Sequence, residues 1–281
     1  MTTPEQETLT QHTKGRIFRD LHHRSHAFII PNPWDAATAR LLAQLGFEAL
    51  ATTSAGFAFS LGQADNTVGR PQMMSHLETM VAATALPVSA DLENGFGDAP
   101  DTVAETIRLA AAAGVVGGSI EDATARREDP IYALGLAVDR IRAAAAAARS
   151  LPFPFTLTAR CENYLVGRPD LVDTIRRLQA YQEAGADVLY APGLSSRDEI
   201  AAVVRSVDRP VNVVMGLKGV QLDLGELSSL GVRRVSVGSA LARAALGAFH
   251  RAAVEMRERG TFHFAAEAMG MKDLGDRFTR A

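Results

Sequence analysis

The chain has one cysteine, Cys161, so no internal disulfide can form and a reducing compartment is expected. It has no uninterrupted apolar run of about 18 residues, the length that marks a membrane-crossing helix. The stretch MTTPEQETLTQHTKGR lacks the apolar centre of a secretory signal, so the expected place is the cytoplasm, without a membrane partner. A net charge of −3 with interspersed signs leaves no basic stripe, which sets nucleic acid aside. Neither a G-x-G-x-x-G loop nor a Walker loop occurs, so the usual dinucleotide and nucleoside triphosphate signatures are missing. The seven histidines, at 12, 22, 23, 26, 76, 250 and 263, fall in expected helices or near the termini. A His-rich zinc site is therefore not expected.

What is present is a chain of 281 residues, 47% hydrophobic and 22% charged, long enough to bury a large core. Four times a helical stretch ends in Gly and runs at once into β-prone sequence: AQLGFEALATTS, AAAGVVGGSIED, QEAGADVLYAPG and SSLGVRRVSVGS. Gly46, Gly114, Gly185 and Gly231 stand where a helix end needs a left-handed residue. With AFIIPNPW, LPVSADLE, FPFTLTARCE and RPVNVVMG, eight strand candidates result, near 27–33, 48–53, 87–92, 115–121, 155–161, 186–191, 210–215 and 233–238.

Eight buried strands alternating with helices predict an α/β fold, a single-domain (β/α)8 TIM barrel over residues 1–281. A doubly wound open sheet is the alternative, and it would more often carry a phosphate-type glycine loop. RIRAAAAAARS is read as a helix, because alanine is the best helix former. Residues 248–281 read as an amphipathic C-terminal helical extension, packed on its own barrel or on a neighbour.

In such a barrel the chemistry sits at the C-terminal ends of the strands. Those ends carry Asn32, Trp34 and Asp35; Thr53, Ser54, Ala55 and Gly56; Asp91 and Glu93; Glu121 and Asp122; Arg160 and Glu162; Tyr190; Asn212; and Ser236 and Ser239. Carboxylates converging without imidazole or thiolate suit a hard cation, Mg²⁺ or Mn²⁺, held by one or two acids and several waters. Asp91 and Glu93 alternate onto one face of a strand end, and of the adjacent Glu121 and Asp122 only one points inward, with Glu121 favoured. Asp98 and Asp101, flanking Pro100, are read as starting the next helix.

Arg160 has two readings, an ion pair with Glu121 or Glu162, or a clamp for a substrate carboxylate. Trp34 is either a pocket wall or plain packing. Cys161 alternates away from Arg160 and reads as a small buried side chain. Arg126, Arg127 and Glu128 either close over an anionic substrate or are solvated charges.

PNPWDAATARLLAQLGFEALATTSAGFAFSLGQADN, SADLENGFGD, GGSIEDAT, TARCENYL and GADVLYAPG together resemble the isocitrate lyase and phosphoenolpyruvate mutase superfamily, in order across residues 27–240. The resemblance implies a barrel whose last helix is exchanged between subunits, a homotetramer built as a dimer of dimers, Mg²⁺, and a small 2-oxo or dicarboxylic acid as substrate. It implies Asp91 as direct metal ligand, with Glu93 and Glu121 on metal-held waters, and Asp65 at the edge of the metal site. It also implies that Thr53, Ser54 and Ala55 grip the pyruvyl unit and that Arg160 faces the substrate carboxylate. Trp34 and Asn212 complete the expected substrate contacts.

The loop after strand four, EDATARREDPIYALG, lacks the Lys, Cys, Gly, His pattern of isocitrate and methylisocitrate lyases, whose cysteine is the general acid. APG stands where those lyases use a glutamate, and the Lys and Asn of phosphonate-handling members are also missing. The resulting expectation is a Mg²⁺-dependent lyase that cleaves a carbon–carbon bond through an enolate, as a decarboxylase or retro-aldol enzyme on a 2-oxo acid or a 2-hydroxy acid precursor. The alternatives are a phosphoenolpyruvate mutase or phosphonopyruvate hydrolase type of enzyme, and a catalytically silent 2-oxo acid binding protein.

Overall fold

The computed structural model describes residues 9–279. Its strands are β1 (Phe28–Ile30), β2 (Leu50–Ala51), β3 (Val88–Asp91), β4 (Gly117–Glu121), β5 (Thr156–Arg160), β6 (Val188–Tyr190), β7 (Val211–Val214) and β8 (Arg234–Ser236). Each lies within its expected range. All pair in parallel, in the order β1-β8-β7-β6-β5-β4-β3-β2. The gap between the two ends is crossed by the Ala51 amide, which donates to the Pro31 carbonyl at 3.1 Å. The sheet thus curls into a nearly closed (β/α)8 barrel, and the open doubly wound alternative falls.

The helices are α1 (Gln11–Leu21) ahead of β1, α2 (Ala36–Gln44), α3 (Ser54–Ser60) and α4 (Arg70–Ala82) before β3, and α5 (Pro100–Ala112), α6 (Leu134–Arg149), α7 (Leu171–Ala184), α8 (Arg197–Arg205) and α9 (Leu224–Ser229) between the later strands. After β8 come α10 (Ala240–Arg259) and α11 (Met271–Thr279). Short polar side chains start several of them. Asp35 and Thr38 form a reciprocal capping box at α2, and Thr53 Oγ1 accepts the Gly56 amide at 3.2 Å to start α3.

Gly46, Gly114, Gly185 and Gly231 all adopt positive φ, between 86° and 107°, as the sequence pattern requires. At Gly185, the residue that ends α7, the angle of 107° is one that side chains with a Cβ rarely take. The alanine run forms the buried face of α6, through Ala144, Ala145, Ala147 and Ala148, and packs against α5. Small side chains let those two helix backbones approach closely.

The N-terminal end of the barrel is plugged by α1. Its Phe18 and Leu21 are fully buried against Phe28, Ile30, Ala49 and Val116 at the strand starts. Burying a side chain such as Phe18 contributes about 1.5–3 kcal/mol. With that end closed by apolar packing, the polar residues gather at the other.

The tail does pack on its own barrel in part: α11 lies on α2, with Gln44 donating to the Arg277 carbonyl. Only Ala242 of α10 is buried, and Phe249 and Phe262 stay exposed. No described helix is long and apolar enough to cross a membrane.

Candidate active site

Asp91 ends β3 and meets the start of α3. Its Oδ2 accepts the Ser54 amide at 3.0 Å and the Ser54 hydroxyl at 2.8 Å. Its Oδ1 has only longer contacts, 3.5 Å to the Ser119 hydroxyl and 3.5 Å to Arg160 Nη1. One oxygen is therefore anchored, and the other remains available as an acceptor. The register is fixed from below, where the Asp91 amide donates to Thr52 Oγ1 at 2.9 Å.

Arg160, at the end of β5, forms the centre of the cluster. Its Nη1 lies 3.1 Å from Glu121 Oε2, its Nη2 donates to Glu162 Oε2 at 3.2 Å, and its Nε donates to Glu162 Oε1. Both ion-pair partners considered from the sequence are used together. The Arg160 side chain remains 18% exposed, toward the mouth.

Glu121 and Asp122 point opposite ways, as adjacent strand residues must. Glu121 faces Arg160, whereas Asp122 is buried behind the barrel, where its Oδ2 accepts from Arg177 at 3.2 Å and Tyr181 at 2.5 Å. Asp122 Oδ1 accepts the Glu162 amide at 2.8 Å, so the outward carboxylate positions the residue that holds Arg160. Cys161 is 1% exposed within the core, and burial pushes its thiol well up, as expected for an inert side chain.

Glu93 departs from the expected geometry. It lies beyond the end of β3 with a left-handed φ of 50°, so strand alternation does not place it. It still faces the same charges: burial, then Asp91 and Asp65, push its carboxyl up to about 8. Burial also raises Glu121 and Glu162 against the opposing effect of Arg160. Asp65 is raised by desolvation and then by the Asp91 charge. Ser54 Oγ lies 3.5 Å from Asp65 Oδ1 and links the two acids.

Asp98 is not a helix cap. Ala99 holds that position in α5, and Asp98 instead accepts from Tyr132 Oη at 2.6 Å and Arg126 Nη1 at 2.8 Å. The reason is Arg140, 1% exposed, which donates to the carbonyls of Asn94, Gly97 and Asp98 and stacks 4.1 Å from the Tyr132 ring. This anchor turns the Asp98 side chain toward the loop after β4. Asp101 does lie in the first turn of α5.

A cavity of about 470 Å³ opens above the cluster. Thr53, Ser54, Ala55, Asp65, Asp91, Glu121 and Arg160 line it, joined by Glu162, Tyr190 and, from the loop after β4, Arg126 and Arg127. Trp34 and Asn212 do not line it. Trp34 packs its Cβ beside Gly56 of α3. Asn212 sits deeper in the barrel, donating to Ser236 Oγ at 3.0 Å and accepting from Arg234 Nε at 2.8 Å.

The strand-end pattern carries no signal for Arg140 and Arg177, because both act from helices. A long cation within an otherwise apolar helix face is their only local trace.

No three His, Cys or carboxylate side chains among the described residues gather into a ready metal cage. Arg160 stands between the acids and accounts for this. A hard cation that keeps several waters needs only one or two carboxylates. The available oxygen of Asp91, with Glu121 and Asp65 lining the same opening, is a donor set of that kind, while Glu93 is buried beside them and does not line the cavity. Burial first, and neighbouring carboxylates after it, raise the carboxyls of Asp65, Glu93 and Glu121, and a divalent cation would oppose that shift.

A parallel eight-stranded barrel with an acidic mouth defines a class of enzyme working at the strand ends. The chain belongs to the phosphoenolpyruvate phosphomutase family, whose model matches residues 18–257, within the phosphoenolpyruvate mutase/isocitrate lyase superfamily of lyases and mutases. A candidate lyase/mutase from Burkholderia cenocepacia J2315 is 68% identical, with a TM-score of 0.94 over 95% of this chain and 96% of the other. Oxaloacetate decarboxylase from Bradyrhizobium diazoefficiens is 30% identical, covering 88% of this chain and 86% of its own. A phosphonopyruvate hydrolase solved with oxalate and Mg²⁺ is 25% identical, with a TM-score of 0.83 over 97% of each chain. Members of the superfamily thus bind Mg²⁺ and small acids.

Proposed function

We propose that the protein is a Mg²⁺-dependent carbon–carbon lyase that decarboxylates or cleaves a 2-oxo dicarboxylic acid through an enolate. The observation that carries this reading is the Asp91 carboxylate, anchored on one oxygen by Ser54 and held at 3.5 Å by Ser119 and the Arg160 guanidinium on the other. When bound, Mg²⁺ would supply the positive charge that stabilises the enolate as it develops. Asp91 would hold it directly, with Glu93 and Glu121 holding its waters.

The chain's own groups do the rest. Ala55, at the start of α3, presents its backbone amide to the pyruvyl unit, Ser54 lines the same wall while holding Asp91, and Thr53 fixes that turn. Arg160 faces the developing negative charge, held in place by Glu162 and Glu121. Its two anchors keep it oriented before substrate arrives, so no reorganisation is required during the reaction. Carbon dioxide leaves unprotonated, so departure of the leaving group needs no acid from the loop after β4. That loop has no Cys, Lys or His to offer.

Calorimetry with oxalate, an enolate mimic, tests the site. Binding in Mg²⁺ that disappears with a chelator supports it. Equal binding in both conditions refutes the metal's part. Release of carbon dioxide from a panel of 2-oxo dicarboxylic acids then separates an enzyme from a silent binding protein. A panel without turnover rejects the lyase reading.

A further inference from the structure

We propose that Tyr190 is the proton donor that converts the enolate to its keto product, an inference that rests on the enolate reading above. Tyr190 is the last residue of β6 and is paired in register with Arg160 of β5. Its side chain lines the cavity at the mouth and also a smaller cavity of about 60 Å³ inside the barrel, beneath Asp91 and Arg160. The Arg160 guanidinium lies 5.4 Å from the centre of its ring. It is therefore a weak acid at the floor of the substrate space.

The surroundings support a phenol that gives up a proton and takes it back. Burial pushes Tyr190 up to about 12, so it holds its proton at neutral pH, and Arg160 and the Ser236 hydroxyl act in the opposite sense. Beneath it lies a second guanidinium. Arg234 is 5% exposed and donates to Asn212 Oδ1 at 2.8 Å and to Thr158 Oγ1 at 3.0 Å, with His22 Nε2 at 3.4 Å. Those partners are uncharged: burial keeps His22 neutral, its value lowered to about 3. A buried cation without a carboxylate is costly, and a transient phenolate nearby would offset that cost.

The step balances. Loss of carbon dioxide leaves an electron pair on C3 of the enolate. The Tyr190 O–H bond breaks, a C3–H bond forms, and the pair from the O–H bond stays on the phenolate oxygen. Water then returns a proton to the phenolate, and the hydroxide released combines with carbon dioxide as bicarbonate. No oxidant, reductant or co-reactant beyond water is required.

The test uses pyruvate in D₂O with the Mg²⁺-loaded protein, because a group that protonates the enolate also catalyses exchange of the pyruvate methyl hydrogens. Proton NMR should show exchange on the wild type and at least a ten-fold loss in Tyr190→Phe, with the Kd for oxalate held within two-fold. The Phe ring keeps the packing under Arg160, so an unchanged oxalate Kd separates proton transfer from positioning. Exchange retained within two-fold overturns the assignment and leaves the lyase reading standing. A parallel ten-fold weakening of oxalate binding also overturns it, because Tyr190 would then only support Arg160. A wild type that neither binds oxalate nor exchanges pyruvate removes the lyase reading, and Tyr190's role with it.

Discussion

Replacing Arg140 with Met should destabilise the protein far more than its distance from the substrate cavity implies. Arg140 is 1% exposed on α6 and donates to three carbonyls of the β3–α5 loop, those of Asn94, Gly97 and Asp98. Met fills much of the same volume but donates nothing, so three partly buried acceptors lose their partner. A hydrogen bond to a charged group is worth about 1.5–3 kcal/mol, and the three share one side chain and are not additive, so the whole loss is about 3–5 kcal/mol. At about 2–4 °C per kcal/mol for a chain of this size, the melting temperature should fall by about 10 °C. Arg140→Lys keeps the charge and loses the fork, and should recover part of the loss. Urea denaturation with thermal melts gives the comparison. A loss below about 1 kcal/mol in Arg140→Met would refute the claim that this side chain holds the loop.

Acid should weaken the fold through two histidines kept neutral by burial, His22 near 3 and His76 near 4. Both take up a proton near 6.5 when unfolded, so folding stability falls as pH drops below that value, by about 2 kcal/mol each at pH 5. His76 stacks on Phe57 with ring centres 3.7 Å apart, and its Nε2 has no partner among the described residues. His76→Phe should therefore flatten the decline between pH 7 and 5 in denaturation curves, and an unchanged slope would count against this. Ser54→Ala removes one of two anchors of Asp91 and should weaken Mg²⁺ about 10- to 100-fold, read by titration calorimetry, with an unchanged Kd as the contrary result. The exposed Phe249 and Phe262 should be covered in a homo-oligomer, expected as a dimer of dimers, and light scattering that gives a monomer would refute this.

The barrel was legible because its signals are local. A glycine that ends a helix and a short β-branched run after it recur often enough to mark strands independently of contacts. The inward direction of Glu121 and the outward one of Asp122 followed from the two-residue period of a strand. Glu93 and Asp98 were misplaced for one reason: both lie in the loop after β3, whose path is set by Arg140, a residue of α6 more than 40 positions away in the chain. Asn212 illustrates a second limit, since a strand shows which residues face the axis but not how deep they lie. Arg234, its register partner on β8, donates to Asn212 and occupies it, a fact that only the barrel reveals. Exposure of the α10 face depends on partners outside the chain, so the sequence shows the apolar residues without showing what covers them.

The account depends on Asp91 as the carboxylate around which a metal-assisted enolate chemistry is organised. Its most direct test is release of carbon dioxide from oxaloacetate in Mg²⁺, compared between the wild type and Asp91→Ala. The account predicts turnover in the wild type that a chelator abolishes, and a loss of at least ~10² in the variant at saturating substrate. Full turnover in Asp91→Ala, with Mg²⁺ present, would contradict it.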